Sequence, residues 1–205
     1  VAVTNGYTTV AAFQAYVGMD TITANETLVI EQGIEAASRS IDKMANRRFY
    51  ADTNVTARQY RATDFYRLLV DDISTADGII VALDSGGDGT FETTLTFGTD
   101  YILDPLTSPQ KNRPYYFVTM VGTQLFPSPI NLRPGVQVSA RWGWYNGTPP
   151  DDIVEACLIL TSDYVKRAQS IGGVVGLSEL GVVRMGPLGR DIGSIVRAYR
   201  REILA

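Results

Sequence analysis

The chain contains no histidine and one cysteine, Cys157. The first absence removes the commonest general base, Ser–His and Cys–His nucleophile pairs, and His-containing metal sites. An enzyme made from this chain would have to work with carboxylates, lysine or tyrosine alone. The second absence excludes an internal disulfide, and Cys157, on the apolar stripe of an expected helix, reads as a small buried hydrophobe. No apolar run approaches the roughly 20 residues of a membrane span, and no basic stretch with an apolar core opens the sequence. We therefore expect no membrane partner and synthesis in the cytoplasm. Phosphate-cradling loops, paired-Cys zinc spacings, nucleophile elbows and dinucleotide fingerprints are missing as well. Adjacent carboxylates occur at Asp71-Asp72 and Asp151-Asp152, but the first pair reads as a solvated turn and the second as a helix start. No catalytic residue, cofactor site or metal site is assigned on these grounds.

With 205 residues, 45% of them apolar and 20% charged, the chain can bury a real core, so one globular domain with an appendage is expected. Net charge is −4, but the two signs are separated along the sequence. Over residues 39–61, Arg39, Lys43, Arg47, Arg48, Arg58 and Arg61 outnumber Asp42 and Asp52, a balance of +4. Over residues 64–104, nine acidic residues from Asp64 to Asp104 face Arg67 alone, a balance of −8. Two solvated faces would explain this. Opposite charge on two surfaces of one subunit would also steer a head-to-tail assembly.

Periodicity places the elements. Thr8 or Thr9 caps a short helix carrying Val10, Phe13, Tyr16 and Val17 and stopped by Gly18, after an extended arm over residues 1–6. Thr23 to Glu26 forms a capping box, and Ile30, Ile34, Ala37, Ile41 and Met44 draw a stripe along a long helix ending near Phe49. Strand patterns follow over residues 56–63, 65–70, 78–83, 90–97, 101–105, 115–121 and 135–142, which predicts a small antiparallel sheet or sandwich. Val136, Val138 and Ala140 should point inward. After Trp144, the run Thr148-Pro149-Pro150-Asp151 carries the signals of a second long helix, with Ile153, Cys157, Leu160, Tyr164 and Ala168 on one stripe.

Two stretches invite a ligand. Asp84, Asp88 and Gly89 match positions one, five and six of a calcium-binding EF-hand loop, but position three is Gly86 and position twelve is Leu95, so the bidentate Glu is missing. A glycine-bearing hairpin turn explains the same residues. Tyr115, Tyr116, Phe117, Trp142, Trp144 and Tyr145 could form a sugar-binding platform, but strand periodicity favours packing. A binding module for carbohydrate or calcium is thus the alternative to a structural role. Residues 171–189 mix glycine with Val, Leu and Met, as in a segment that becomes ordered against something else. From Arg190 onward, Ile192, Ile195 or Val196, Tyr199 and Ile203 restore a helical stripe beside Arg197, Arg200 and Arg201. That helix either folds back on the core or docks into a partner.

Taken in order, the short helix at Tyr7-Thr8-Thr9, the long helix ending Arg47-Arg48-Phe49, the β-rich middle and the motif Gly143-Trp144-x5-Pro150-x2-Ile153-x2-Ala156 resemble the head-to-tail adaptor (gp6-like connector, head completion) proteins of long-tailed phages. The resemblance covers most of the chain through loose motifs. It implies a ring, commonly twelvefold, that links the portal to the next neck or tail protein of the virion and leaves an axial passage for DNA. Another neck or tail structural protein would share the same build. The fold expected is α+β: a bundle of long antiparallel helices with a β-rich insertion and a C-terminal helical arm. Its segments would be 1–55, 56–142, 143–170 and 171–205. Arg190, Ile195, Arg197, Tyr199, Arg200 and Arg201 are expected to dock on the portal or neck. Arg39, Lys43, Arg47, Arg48, Asp71 and Asp72 are expected at the subunit interface. Clustered cations are too few for tight phosphate binding, so DNA should pass without being held.

Overall fold

A computed structural model describes residues 3–127, 134–169 and 190–201. The chain divides into a helical unit, Val1–Arg48 with Pro149–Ala205, and a β unit, Phe49–Thr148.

In the helical unit, α1 (Val10–Val17) is capped by Thr9, whose hydroxyl accepts the Ala12 N–H at 3.1 Å, and stops at Gly18 in the left-handed region. Helix α2 (Ala24–Ala45) opens on a reciprocal capping box: Thr23 N–H donates to Glu26 at 2.8 Å and Glu26 N–H donates to Thr23 Oγ at 3.2 Å. It ends at Asn46, which adopts φ 51°, a conformation that Asn tolerates better than most residues. Phe49 therefore lies beyond the helix rather than at its end. Helix α3 (Asp151–Gln169) takes its first bonds to the Pro150 carbonyl, not to Thr148.

Helices α2 and α3 pack on each other through Ile30, Ile34, Ala37 and Ile41 on one side and Ile153, Ala156, Cys157 and Leu160 on the other, all 3% exposed or less. Gly33 faces α3, where a Cβ would stand in ordinary contact with Thr161 and Val165 at 3.4 Å. Met44 and Ala168, expected on the two stripes, are exposed. Helix α4 (Arg190–Arg197) lays Ile192 and Val196 against α2 and α3. The segment before α1 is no free arm from residue 3 onward. Tyr7 is buried, its N–H donates to Ser38 Oγ at 3.1 Å and its hydroxyl donates to Asp42, while Arg39 donates to the Asn5 carbonyl at 3.0 Å.

Among the described residues, the β unit is a sandwich of seven antiparallel strands. Strands β1 (Thr56–Tyr60), β7 (Val136–Ala140), β3 (Ile80–Leu83) and β4 (Thr93–Leu95) form one sheet in that order. Strands β2 (Arg67–Ile73), β6 (Tyr115–Met120) and β5 (Tyr101–Asp104) form the other. Alternation puts Val136, Val138 and Ala140 inside, with Leu68, Val70, Val118 and Leu103 from the second sheet in the same core.

The expected bundle of long antiparallel helices is thus overturned. Only α2 and α3 are long among the described residues, and seven strands in two sheets form a core of their own. Two amphipathic stripes bury each other as a pair, so no larger bundle is needed to cover them.

The two ends of the β unit are fastened together. Gly143 bridges Ala51 at φ 126°, and a Cβ there would stand 1.9 Å from the Tyr50 carbonyl oxygen. Asp52 N–H donates to the Trp142 carbonyl at 2.8 Å and Trp144 N–H to the Tyr50 carbonyl at 3.1 Å. Gly143 N–H reaches Asp72 at 2.7 Å and Ser74 N–H reaches Arg141 at 2.8 Å. Phe49 packs on Trp144 at 4.9 Å between ring centroids, and Trp142 Nε1 donates to the Thr56 carbonyl at 2.8 Å.

Gly143→Ala combines a disfavoured φ with a collision against backbone, and should cost about 3 kcal/mol or more in a urea titration. A variant within experimental error of the wild type would show that this approach is not needed. In the helical unit, burial pushes the Asp42 carboxyl above its ordinary 3.8, against the opposing pull of the Tyr7 hydroxyl and the Arg39 guanidinium. The folded state then keeps a proton that the unfolded chain has released, so this group's contribution is lost as pH rises above 3.8. Asp42→Asn should remove that slope, and its urea midpoint should gain on the wild type between about pH 4 and pH 7. A gap that stays constant or closes would contradict this assignment.

Candidate functional site

The acidic Gly-rich stretch is the turn of the β3–β4 hairpin, in which Val81 pairs with Leu95 and Leu83 with Thr93. Asp84 is buried, and its carboxylate accepts the N–H groups of Gly87 at 2.5 Å, Asp88 at 3.2 Å and Gly89 at 2.8 Å. Glu92 accepts from Gly86 at 3.2 Å, and Gly87 and Gly89 supply the positive φ that the turn requires. Asp84, Asp88 and Glu92 bring carboxylate oxygens within 4.8 Å of one another. Leu95, at the place of the missing ligand, is buried in β4. The carboxylate of Asp84 is thereby occupied in ordering the loop's own backbone.

The six expected interface residues fall in two places. Arg39, Lys43, Arg47 and Arg48 lie on or just after α2 in the helical unit, whereas Asp71 and Asp72 lie in β2 of the sandwich. Arg39 is spent locally on Asn5, on Asp42 at 3.1 Å and over the Tyr7 ring at 5.8 Å. Lys43 is exposed. Asp71 accepts from Arg58 at 2.7 Å and from the Tyr60 hydroxyl at 2.9 Å. Asp72 is 6% exposed. The Asp71-Asp72 pair is therefore part of β2 and not a solvated turn, and it lies where the register with β6 shifts between Leu69 and Ile73.

At the C-terminal end, Arg190 opens α4, Ile195 is half-buried, and Arg197 and Arg200 are exposed. Tyr199 donates its hydroxyl to Asp152 at 2.9 Å, and Arg201 N–H donates to the Ala45 carbonyl at 2.9 Å. Residues 171–189 and Ile203 lie outside the described residues.

Of the supposed aromatic platform, Trp142 and Trp144 are fully buried, and Arg58 stacks on the Trp142 ring at 4.4 Å. The titratable groups with strong shifts move away from reactivity. Burial pushes the Tyr101 hydroxyl up to about 12 and also raises Tyr60 and Cys157. An open cleft of about 480 Å³ beside α2, lined in part by Thr4, Glu31, Glu35 and Arg39, gathers no nucleophile with a base.

The outer faces of the sandwich were not singled out from the sequence. On the three-stranded sheet, register sets Leu69 beside Phe117 and Thr119 between Arg67 and Ile102. Arg67 lies over the Phe117 ring at 4.0 Å and 3.9 Å from Asp104, which accepts the Thr119 hydroxyl at 2.5 Å. On the four-stranded sheet, Ser139 stands between Ala57 and Ile80, and Gln137 beside Gln59. The sequence signal for these faces is the opposite phase of each strand, the residues between those that point inward.

No family model matches the sequence, and no curated protein matches it. Among solved structures, the chain is similar in fold to a chain from the neck of an empty GTA (gene transfer agent) particle computed with C6 symmetry, at 15% identity and a TM-score of 0.58. That match covers 100% of this chain and 95% of the other. A chain from the neck of the native GTA particle, computed with C12 symmetry, matches at 15% identity with a TM-score of 0.53, covering 100% of this chain and 94% of the other. At such identity the likeness is one of fold, and it runs the whole length of the protein.

Proposed function

We propose that this protein is a structural component of the neck of a phage-like particle. In this reading it assembles as a ring, joins the portal to the next neck or tail protein, and leaves an axial passage for DNA. The observation that carries the proposal is the fold match over the entire chain to neck chains from particles treated with sixfold and twelvefold symmetry. The chemistry agrees with it. Among the described residues the perturbed groups are tyrosines and a cysteine made less reactive by burial, Asp42, which is engaged by Tyr7 and Arg39, and Glu26, which is held low by the Thr23 N–H of its capping box. Arg39, Arg58 and Arg67 are tied to neighbouring carboxylates, and tight phosphate binding, which would hold a passing polyanion, needs clustered free cations.

The C-terminal helix is the segment proposed to engage the portal or neck. Its apolar side, Ile192 and Val196, is taken up within the helical unit, so docking through α4 in place uses Arg197 and Arg200, with Arg190, Ile195, Tyr199 and Arg201 around them. Arg39, Lys43, Arg47, Arg48, Asp71 and Asp72 remain proposed contributors to subunit contacts. Of the six, Lys43 is exposed, Asp72 is buried and the others are intermediate.

Light scattering and negative-stain imaging of the protein, alone and mixed with the portal ring of its particle, test this reading. Rings are expected in at least one condition, and a chain truncated after Ser170 should lose portal binding. A monomer indifferent to the portal would refute the neck assignment, and a truncated chain that still binds would remove α4 from the docking role.

A further inference from the structure

The two outer faces of the sandwich differ from each other and from an ordinary solvated surface. The three-stranded face presents Leu69, 37% exposed, against the half-exposed ring of Phe117, with Ile102 on the neighbouring row. Its charges, Arg67 and Asp104, lie 3.9 Å apart and are further engaged by the Phe117 ring and the Thr119 hydroxyl, so the face carries no net charge. The four-stranded face bears no charged side chain at the positions that register places there: Ala57, Gln59, Ile80, Ala82, Thr94, Gln137 and Ser139. Ile80, the first residue of β3, is 50% exposed. In a chain of 22 acidic and 18 basic residues, both broad faces of the sandwich have been kept clear of unpaired charge.

Depletion of charge with retained aromatic and aliphatic area marks the core of a protein–protein contact. The faces lie on opposite sides of one sandwich, and they are dissimilar. A contact between dissimilar surfaces on opposite sides of a subunit repeats indefinitely, closing into a ring when the rotation per subunit allows. We infer that the occupant of the Leu69–Phe117 face is a second copy of this chain, which covers it with its own four-stranded face around Ile80. This rests on the ring reading above and specifies the surfaces that build it. Aligned packing of one sheet on another requires no groove or loop rearrangement. Once desolvated, the Arg67–Asp104 pair keeps its partners, which a lone charge would not.

The test uses one variant for each face, Leu69→Glu and Ile80→Glu, in the condition where the wild type forms rings. Each variant alone should remain monomeric, because every copy lacks one of the two faces. An equal mixture should yield particles with the mass of two chains and nothing larger, since the Leu69→Glu copy retains the four-stranded face and the Ile80→Glu copy retains the other. Both positions are exposed, and a dimer in the mixture would itself show that the variants are folded. Should either variant melt at a lower temperature than the wild type, Thr119→Arg and Ser139→Arg repeat the experiment on the same faces. Rings from either variant, or a mixture of natively folded variants that stays monomeric, would overturn this inference and leave the ring reading standing. A wild type that forms no ring with or without the portal would remove both.

Discussion

The architecture depends on one close approach of backbone to backbone. Gly143 comes so near the Tyr50 carbonyl that no side chain fits between them. That proximity aligns Asp52 with Trp142 and Trp144 with Tyr50 for hydrogen bonding. The chain that leaves α2 and the chain about to form α3 are held side by side at this point. Trp142 and Trp144 flank the glycine and fill the space around it, Trp144 against Phe49 and Trp142 against Arg58 and Tyr60. Only a glycine permits the contact, and the large aromatics on either side pack around it.

Local signals in the sequence read well where the structure is local. The Thr23 capping box and the Thr9 cap are where the residues indicate, because N-cap chemistry involves only the next three positions. Ile30, Ile34, Ala37 and Ile41 are buried on one helical stripe, and Val136, Val138 and Ala140 alternate inward as expected. Cys157 is buried against Ser38. What could not be read was pairing over distance. Strand β7 sits between β1 and β3, and β6 between β2 and β5, arrangements set by which faces fit together and absent from the period of any one strand. The expected bundle failed for a related reason: two stripes suggest packed helices, but not how many. The end of α2 was misplaced because Asn46 can end a helix as glycine does, and Met44 continued the stripe onto an exposed position. Asp71-Asp72 looked like a turn because a strand irregularity that buries one carboxylate and pairs the other leaves no sequence signature.

The separation of charge along the chain has a partly internal explanation. Arg58 from the basic stretch binds Asp71 from the acidic one, and Asp52 lies 3.8 Å from the same guanidinium. Arg39 is balanced by Asp42 and Glu35 on its own helix. One pair, Arg58–Asp71, therefore neutralises part of the dipolar sequence at short range. Asp84, another member of the acidic stretch, holds three backbone N–H groups. The surfaces left available for association are accordingly notable for missing charge as much as for carrying it.

The fastening at Gly143 also has a mechanical meaning. Arg48 and Pro149 are the points at which the sandwich joins the rest of the chain. A pull applied between them falls first on the bonds from Asp52 to Trp142 and from Trp144 to Tyr50. Along the chain these lie nearer the two attachment points than the paired strands do. The sandwich is thus shielded from load as a pouch is by its drawstring: tension is taken up at the neck of the insert, and the strands behind it need not slide or unzip until those bonds have given way.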